Sequence, residues 1–249
     1  VANLAIESGS DYVNKHVIKK RVNLEKVPKI IEMFRERGVI SICFFIAGFP
    51  GETKEMMEES IQYAETINAD WCTFNAVKPL LGTPVYDEMV AENYIDHDPE
   101  YWSQTSYGAR EFDTKEISKE DLNDLLYDAN ININFFNNYN LRAGNYLTAI
   151  STIEDIVNDY PYHIVGMYVL HLCYKKMGLD IVSRKQLDKI KMLVESNPQS
   201  SSMFRKYRNK MPDLENLLVD LNSEEENFQN TINFQQSFEQ ETAAEQTII

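Results

Sequence analysis

An α/β fold with a parallel sheet, followed by an α-helical repeat-like region, is predicted by three observations. Near-continuous apolar runs of strand length alternate with amphipathic helical patterns up to about residue 90. The unusual loops at 7–10, 48–53 and 78–84 all follow strands, which gathers them on one rim of the sheet. Beyond residue 130, helix-period patterns punctuated by Gly144, Pro161 and Gly178 echo one another at a separation of about 34 residues.

Taken in order, Leu4-Ala5-Ile6 is a short apolar run ending in the turn-rich Glu7-Ser8-Gly9-Ser10. Asn23 is suited to cap a helix carrying Val27, Ile30, Ile31 and Phe34 on one face, with Gly38 as its stop. The stretch from Val39 to Ala47 is β-branched, aromatic or otherwise apolar at nearly every position, the pattern of a strand buried on both faces. Gly48-Phe49-Pro50-Gly51-Glu52-Thr53 breaks it. Thr53 can cap a second helix with Met57, Ile61, Ala64 and Ile67 aligned. Trp71 to Val77 is a third strand, closed by Pro79-Leu80-Leu81-Gly82-Thr83-Pro84. Ser118-Lys119-Glu120-Asp121 starts a helix with acids in its first turn. The asparagine-rich run from Asn130 to Asn140 reads as a compositionally biased helix. Tyr94, Tyr101, Trp102 and Tyr107 are expected to pack a satellite core.

The formal charge of −15 argues against a nucleic-acid or anionic-membrane footprint. The longest apolar run is too short for the roughly 20 residues of a membrane span. Cys43, Cys72 and Cys173 have no metal-ligand spacing, and His16, His97, His163 and His171 form no paired motif. Dispersed, apolar-flanked cysteines are those of a reduced, cytoplasmic protein, and no metal site is expected from this chain's own residues. The start at Val1, without a secretory signal, suggests that the upstream part of a longer protein is missing.

Four ordered motifs carry a resemblance: Ile6-Glu7-Ser8-Gly9-Ser10, then Lys19-Lys20, then the stretch from Phe45 to Thr53, then Pro79-Leu80-Leu81-Gly82-Thr83-Pro84. Together they resemble the radical SAM superfamily, in the version shared by cobalamin-binding members and methylthiotransferases. The resemblance covers roughly residues 1–90 and implies the second half of a partial parallel (β/α) barrel, truncated at its N-terminus. The family's cysteine loop for a four-iron four-sulfur (4Fe-4S) cluster belongs to the first strand and has no counterpart here. Neither does the Gly-Gly-Glu segment that grips the methionyl amine.

By that resemblance the cofactor-binding residues are Glu7, Ser8, Ser10, Lys20, Ile46, Gly48 and Gly51, with S-adenosylmethionine as their ligand. Glu7 and Ser10 would meet the ribose hydroxyls or methionyl amine, Lys20 the methionyl carboxylate, and the Ile46 backbone the adenine. Phe44 replaces the first glycine of the family's G-x-I-x-G-x-x-E pattern. Gly51 stands at its Glu position, with Glu52 one step later, so a charge-based role for Glu52 is not expected and its side chain is expected to face the helix start. The cluster ligands would lie outside this chain, and cobalamin is left open as a further cofactor of the parent protein.

Four regions follow: 1–90, the barrel half; 91–140, a connector and cover; 141–212, a tetratricopeptide-like helical region of net charge +5; and 213–249, an acidic tail of net charge −9, expected to be largely disordered beyond a short helix. The functional expectation is the C-terminal part of an enzyme that cleaves S-adenosylmethionine reductively to a 5′-deoxyadenosyl radical, acting on an unidentified small molecule. This chain alone is expected to be inert. The alternative is a non-catalytic interaction module on a degenerate barrel, with a protein partner bound through the helical region.

Overall fold

The computed structural model describes residues 1–215. The expectations for the acidic tail from residue 216 onward lie outside the described residues. The chain forms two compact units, Val1–Ala149 and the residues from Ile150 onward.

The first unit is built on three parallel strands, β1 (Ala2–Glu7), β2 (Ser41–Ala47) and β3 (Trp71–Ala76), adjacent in chain order. Sequential parallel neighbours joined by helices are the progression of a (β/α) barrel, whereas a doubly wound sheet reverses its strand order. Helix α1 (Val27–Arg35) joins β1 to β2, and α2 (Lys54–Thr66) joins β2 to β3. Asn23 caps the short 3₁₀ turn that leads into α1, its side chain accepting from the Lys26 amide at 3.2 Å. Thr53 is the N-cap of α2, but its side chain takes no helix amide.

One face of the sheet is covered and the other is not. Cys43, Phe45, Cys72 and Phe74 point into a core with Ile31 of α1, Met57 and Ala64 of α2, and Leu122, Leu126 and Ala129 of α5 (Lys119–Ile131). Phe45 and Phe74 stack with centroids 4.7 Å apart. On the second face Ile42, Phe44, Ile46, Trp71, Thr73 and Asn75 are only half-buried, while Asn3 and Ala5 are exposed. The expectation that β2 is buried on both faces is therefore corrected. Its apolar run reflects one helix-covered face and one face that keeps partial access.

The connector folds back over the strand ends. Helices α3 (Pro84–Ala91) and α4 (Pro99–Gln104) carry Tyr86, Met89 and Trp102 into a second cluster with Phe49, Val77, Ile95 and Phe112. Trp102 and Tyr94 pack as expected, whereas Tyr101 and Tyr107 are exposed. Ser118 caps α5, accepting from the Asp121 amide at 3.0 Å.

The asparagine run does something that its composition did not predict. After α5 the chain makes a π-helical turn (Asn132–Phe136), then the short α6 (Tyr139–Ala143), which ends at Gly144 with φ 80°. Asn134 accepts from the Cys72 amide at 2.8 Å and donates to the Cys72 carbonyl at 2.6 Å. Asn130 repeats this at Phe74, at 3.0 and 2.9 Å. A carboxamide offers one acceptor and two donors, so it can replace a neighbouring strand's backbone. Four helical residues rise about 6 Å and two strand residues about 6.6 Å, so one helix face can plug alternate residues of a strand. The outer edge of β3 is capped by side chains.

Helix α7 (Tyr146–Asp159) carries the division at residues 149 and 150. The second unit continues with α8 (Ile164–Lys176), α9 (Asp180–Ser196), α10 (Pro198–Tyr207) and α11 (Pro212–Glu215). Helix α8 is buried almost all round and packs with α9 and α10. Pro198 opens α10, with Asn197 as its cap.

Candidate functional site

The carboxyl ends of the strands carry two sets of groups. At the end of β1 the backbone turns sharply, and Glu7 adopts φ 65°, a left-handed conformation that side chains rarely take. Its carboxylate pairs with Lys20 Nζ at 2.7 Å, and Lys20 also reaches the Ala5 carbonyl at 3.3 Å. Both side chains keep access to solvent. Lys19 next to the pair is strained in the same way, with φ 60°.

Ser8 and Ser10 are turned inward. The Ser8 hydroxyl shares a 2.8 Å hydrogen bond with Ser60 of α2, and Asn14 donates to the Ser8 carbonyl at 2.6 Å. The Ser10 amide donates to Ser8 Oγ at 3.1 Å, and both serines are buried. Gly9 lets this turn lie on α2, because a Cβ there would fall 2.7 Å from Ser60 Cα. Of the β1 residues, the structure thus brings Glu7 and Lys20 together on the rim and sets Ser8 and Ser10 beneath them.

The β2 end is a loop whose backbone groups are held by charged side chains. Ile46 packs against the cluster of Phe49, Val77 and Tyr86. Gly48 sits at φ 88°, a conformation that strains any side chain, and a Cβ there would fall 2.5 Å from Leu122 Cδ2 and displace it. Gly51 at φ 77° faces open space, and its amide donates to Glu116 Oε1 at 3.2 Å. The residue that sequence reasoning discounted organises this loop. Glu52 is fully buried, and its Oε2 accepts from the Gly48 amide at 2.7 Å and the Phe49 amide at 3.1 Å. The expectation that Glu52 faces the helix start is corrected, because it folds back onto its own loop. Burial pushes its carboxyl up to about 7, against the opposing pull of the two amides and Arg110.

Arg110 was missed altogether. It is 2% exposed, and it donates to the Gly48 carbonyl at 3.0 Å and the Ile117 carbonyl at 2.6 Å. One signal was available: Arg110 is the first basic residue after Lys78 in an otherwise acidic stretch. At the β3 end, Lys78 donates to the Ser103 and Thr105 carbonyls at 3.0 and 2.6 Å, pinning the connector across the rim.

The second unit holds a serine, a histidine and an aspartate in a row. Ser183 Oγ lies 2.8 Å from His171 Nδ1, and His171 Nε2 lies 3.4 Å from Asp213 Oδ2. Ser183 is buried and also bonded to the His171 carbonyl, so this is an internal tie between α8, α9 and α11 rather than a nucleophile open to substrate.

Two cofactors are implied by the resemblance, and the described residues fit them differently. An accessible carboxylate and ammonium side by side match the ammonium and carboxylate of an amino-acid zwitterion, so Glu7 and Lys20 fit the methionyl end of S-adenosylmethionine. An iron–sulfur cluster finds no such fit. Cys43, Cys72 and Cys173 are buried. A hydrogen bond with Cys43 and burial push the Cys72 thiol well up, and burial pushes Cys173 up to about 11. These are the opposite of the thiolates that ligate metal. Among the described residues no group of three potential ligands is placed to hold a metal ion. No described helix is long and apolar enough to cross a membrane.

Comparison with known proteins finds relatives for the N-terminal part of the chain. Residues 1–64 match the radical SAM superfamily. A cytidylyl-2-hydroxyethylphosphonate methyltransferase of Streptomyces wedmorensis is 34% identical over 107 residues, covering 41% of this chain and 20% of that protein. An uncharacterized methyltransferase of Pyrococcus horikoshii is 28% identical over 90 residues, covering 36% of this chain and 19% of that protein. A tRNA-2-methylthio-N(6)-dimethylallyladenosine synthase of Herpetosiphon aurantiacus is 36% identical over 87 residues, covering 34% of this chain and 20% of that protein. The chain thus spans about a fifth of the length of these relatives.

Proposed function

We propose, from the premise that residues 1–64 carry radical SAM superfamily sequence, that this chain supplies an S-adenosylmethionine-binding rim to a radical SAM enzyme. The observation that carries the proposal is the strained, accessible ion pair of Glu7 with Lys20 at the end of β1, beside the ordered loop at the end of β2. Glu7 accepts from the ligand's ammonium and Lys20 donates to its carboxylate, each exchanging one partner for another of like charge. The strand end at Ile46 and Gly48 lines the adenosine side. The second face of the sheet, with Phe44 and Thr73, is only half-buried.

In this superfamily the cofactor supplies radical chemistry when bound beside a reduced iron–sulfur cluster. The described residues hold no ligands for that cluster, so the part proposed for this chain is binding, orientation and exclusion of water. The methyltransferase and methylthio-adenosine synthase relatives favour a methyl- or methylthio-transferring parent, of which this chain would be the C-terminal part. Cobalamin rests on the resemblance alone. The helical region is proposed, as a tetratricopeptide-like element, to take a protein partner. The exposed Leu179, Ile181 and Val182 at the start of α9 support that reading.

Calorimetric titration tests the rim with two ligands. S-adenosylmethionine should bind Glu7→Gln and Lys20→Gln about ten- to a hundredfold more weakly than the parent chain, the range of a charged hydrogen bond. 5′-Methylthioadenosine, which lacks the amino-acid end, should bind all three alike. If neither variant weakens S-adenosylmethionine, the rim is misassigned.

A further inference from the structure

The loop at the end of β2 is held from outside the segment that matches the superfamily. Gly48 has both of its backbone polar groups claimed by side chains of opposite charge. Its amide donates to Glu52 at 2.7 Å, and its carbonyl accepts from Arg110 at 3.0 Å. Glu52 belongs to the loop itself, whereas Arg110 arrives from the connector, 62 residues away. Glu116 of the same connector takes the Gly51 amide. Leu122 of α5 closes on Gly48, where a Cβ would fall 2.5 Å from its Cδ2 and force that side chain to move.

The polar arrangement is also more than a scaffold needs. Glu52 Oε1, Arg110 Nε and Glu116 Oε2 are buried without hydrogen-bond partners. Each such atom costs free energy that a packed apolar group would not. A loop that had only to turn would not require three charged groups under it. We propose that Arg110 is a positioning residue for the rim: from the side opposite Glu52 it fixes Gly48, and with it the strand end on which an adenosyl group would rest. The inference rests on the adenosyl reading of that strand end, and it adds a residue of the connector to the binding machinery.

Electrostatics supports the geometry. The titratable groups acting on the Arg110 guanidinium are Asp113 and Glu116 from the connector, Glu52 from the loop and the Tyr94 phenol. The guanidinium is one of the influences that favour ionised Glu52. Removing it should therefore make Glu52 harder to ionise.

The Arg110 backbone is anchored independently of its side chain. Asn123 accepts from the Arg110 amide at 2.8 Å and donates to its carbonyl at 2.9 Å. Arg110→Gln should therefore fold, which far-UV circular dichroism checks. On the full chain, 5′-methylthioadenosine should bind Arg110→Gln about tenfold more weakly, with Arg110→Lys in between. Arg37→Gln, which removes an exposed ion pair with Glu36 and a hydrogen bond to the Met33 carbonyl, should stay within about twofold of the parent. A second readout needs no ligand. The Gly48 amide resonance should titrate with a midpoint near 7 in the parent chain, and at higher pH in Arg110→Gln. Equal binding of 5′-methylthioadenosine by the parent and Arg110→Gln overturns the proposal. If the parent chain binds no 5′-methylthioadenosine, the adenosyl reading falls. The Gly48 titration then decides the rest: a raised midpoint upholds the hold of Arg110 on the loop, and an unchanged one removes it.

Discussion

Incomplete pairing in a dry site gives Glu52 a proton affinity that the unfolded chain lacks. Its carboxyl is pushed from 4.5 to about 7, chiefly by burial. The folded state therefore takes up a proton between those values, and stability falls as pH rises through that window. With 1.36 kcal/mol per unit, the loss above pH 7 is of order 3 kcal/mol. Gln at position 52 keeps an oxygen for the Gly48 and Phe49 amides and has no charge to bury. Urea unfolding at a series of pH values should show Glu52→Gln gaining on the parent chain from pH 5 to about pH 7 and levelling off above it. A constant difference across that range would mean that Glu52 does not titrate in the folded protein.

At the scale of elements, the asparagine cap on β3 makes a sharper claim than any helix boundary. Asn134 is buried and serves Cys72 with both a donor and an acceptor. Asn134→Asp keeps the shape but removes the donor, leaving the Cys72 carbonyl facing an oxygen. One buried polar group without a partner costs about 1–3 kcal/mol, and a buried charge costs more. Urea denaturation should place Asn134→Asp at least 2 kcal/mol, in rough terms, below the parent. Asn130→Asp at the half-buried Phe74 pair should lose less, and equal losses would contradict the cap. The strands, the caps at Asn23 and Ser118, and the rim loops were legible in the sequence because each is a local pattern of a few residues. The asparagine cap and the grip of Arg110 were not, because their partners lie 56 to 62 residues away. Periodicity carries no record of such pairs. The run from Asn130 to Asn140 read as biased composition because its reason lies on another element. Glu52 was discounted for a related cause: motif spacing fixes a position in the chain, and the loop's two positive-φ glycines, Gly48 and Gly51, let the next residue fold back into the same place.

For the whole molecule, the first unit is indivisible at the limit of the family resemblance. Residues 1–90 would keep the three strands but lose Leu122, Leu126 and Ala129 from the main core, and both asparagines from the β3 edge. A sheet with bare edges and an uncovered core associates with itself. Expressed alone, residues 1–149 should be monomeric and cooperatively folded by size exclusion and circular dichroism, whereas residues 1–90 should be aggregated or unfolded. A well-folded 1–90 piece would reduce the connector to an accessory. The asparagine cap also sets how this unit opens. In an ordinary sheet, a strand's amide protons exchange with deuterium when neighbouring strands part. Here the amides of Cys72 and Phe74 are guarded by side chains of α5 and the turn that follows it, so they exchange when that helical segment lifts, even while β2 and β3 stay paired. Two protons inside a strand thus time the breathing of a helix.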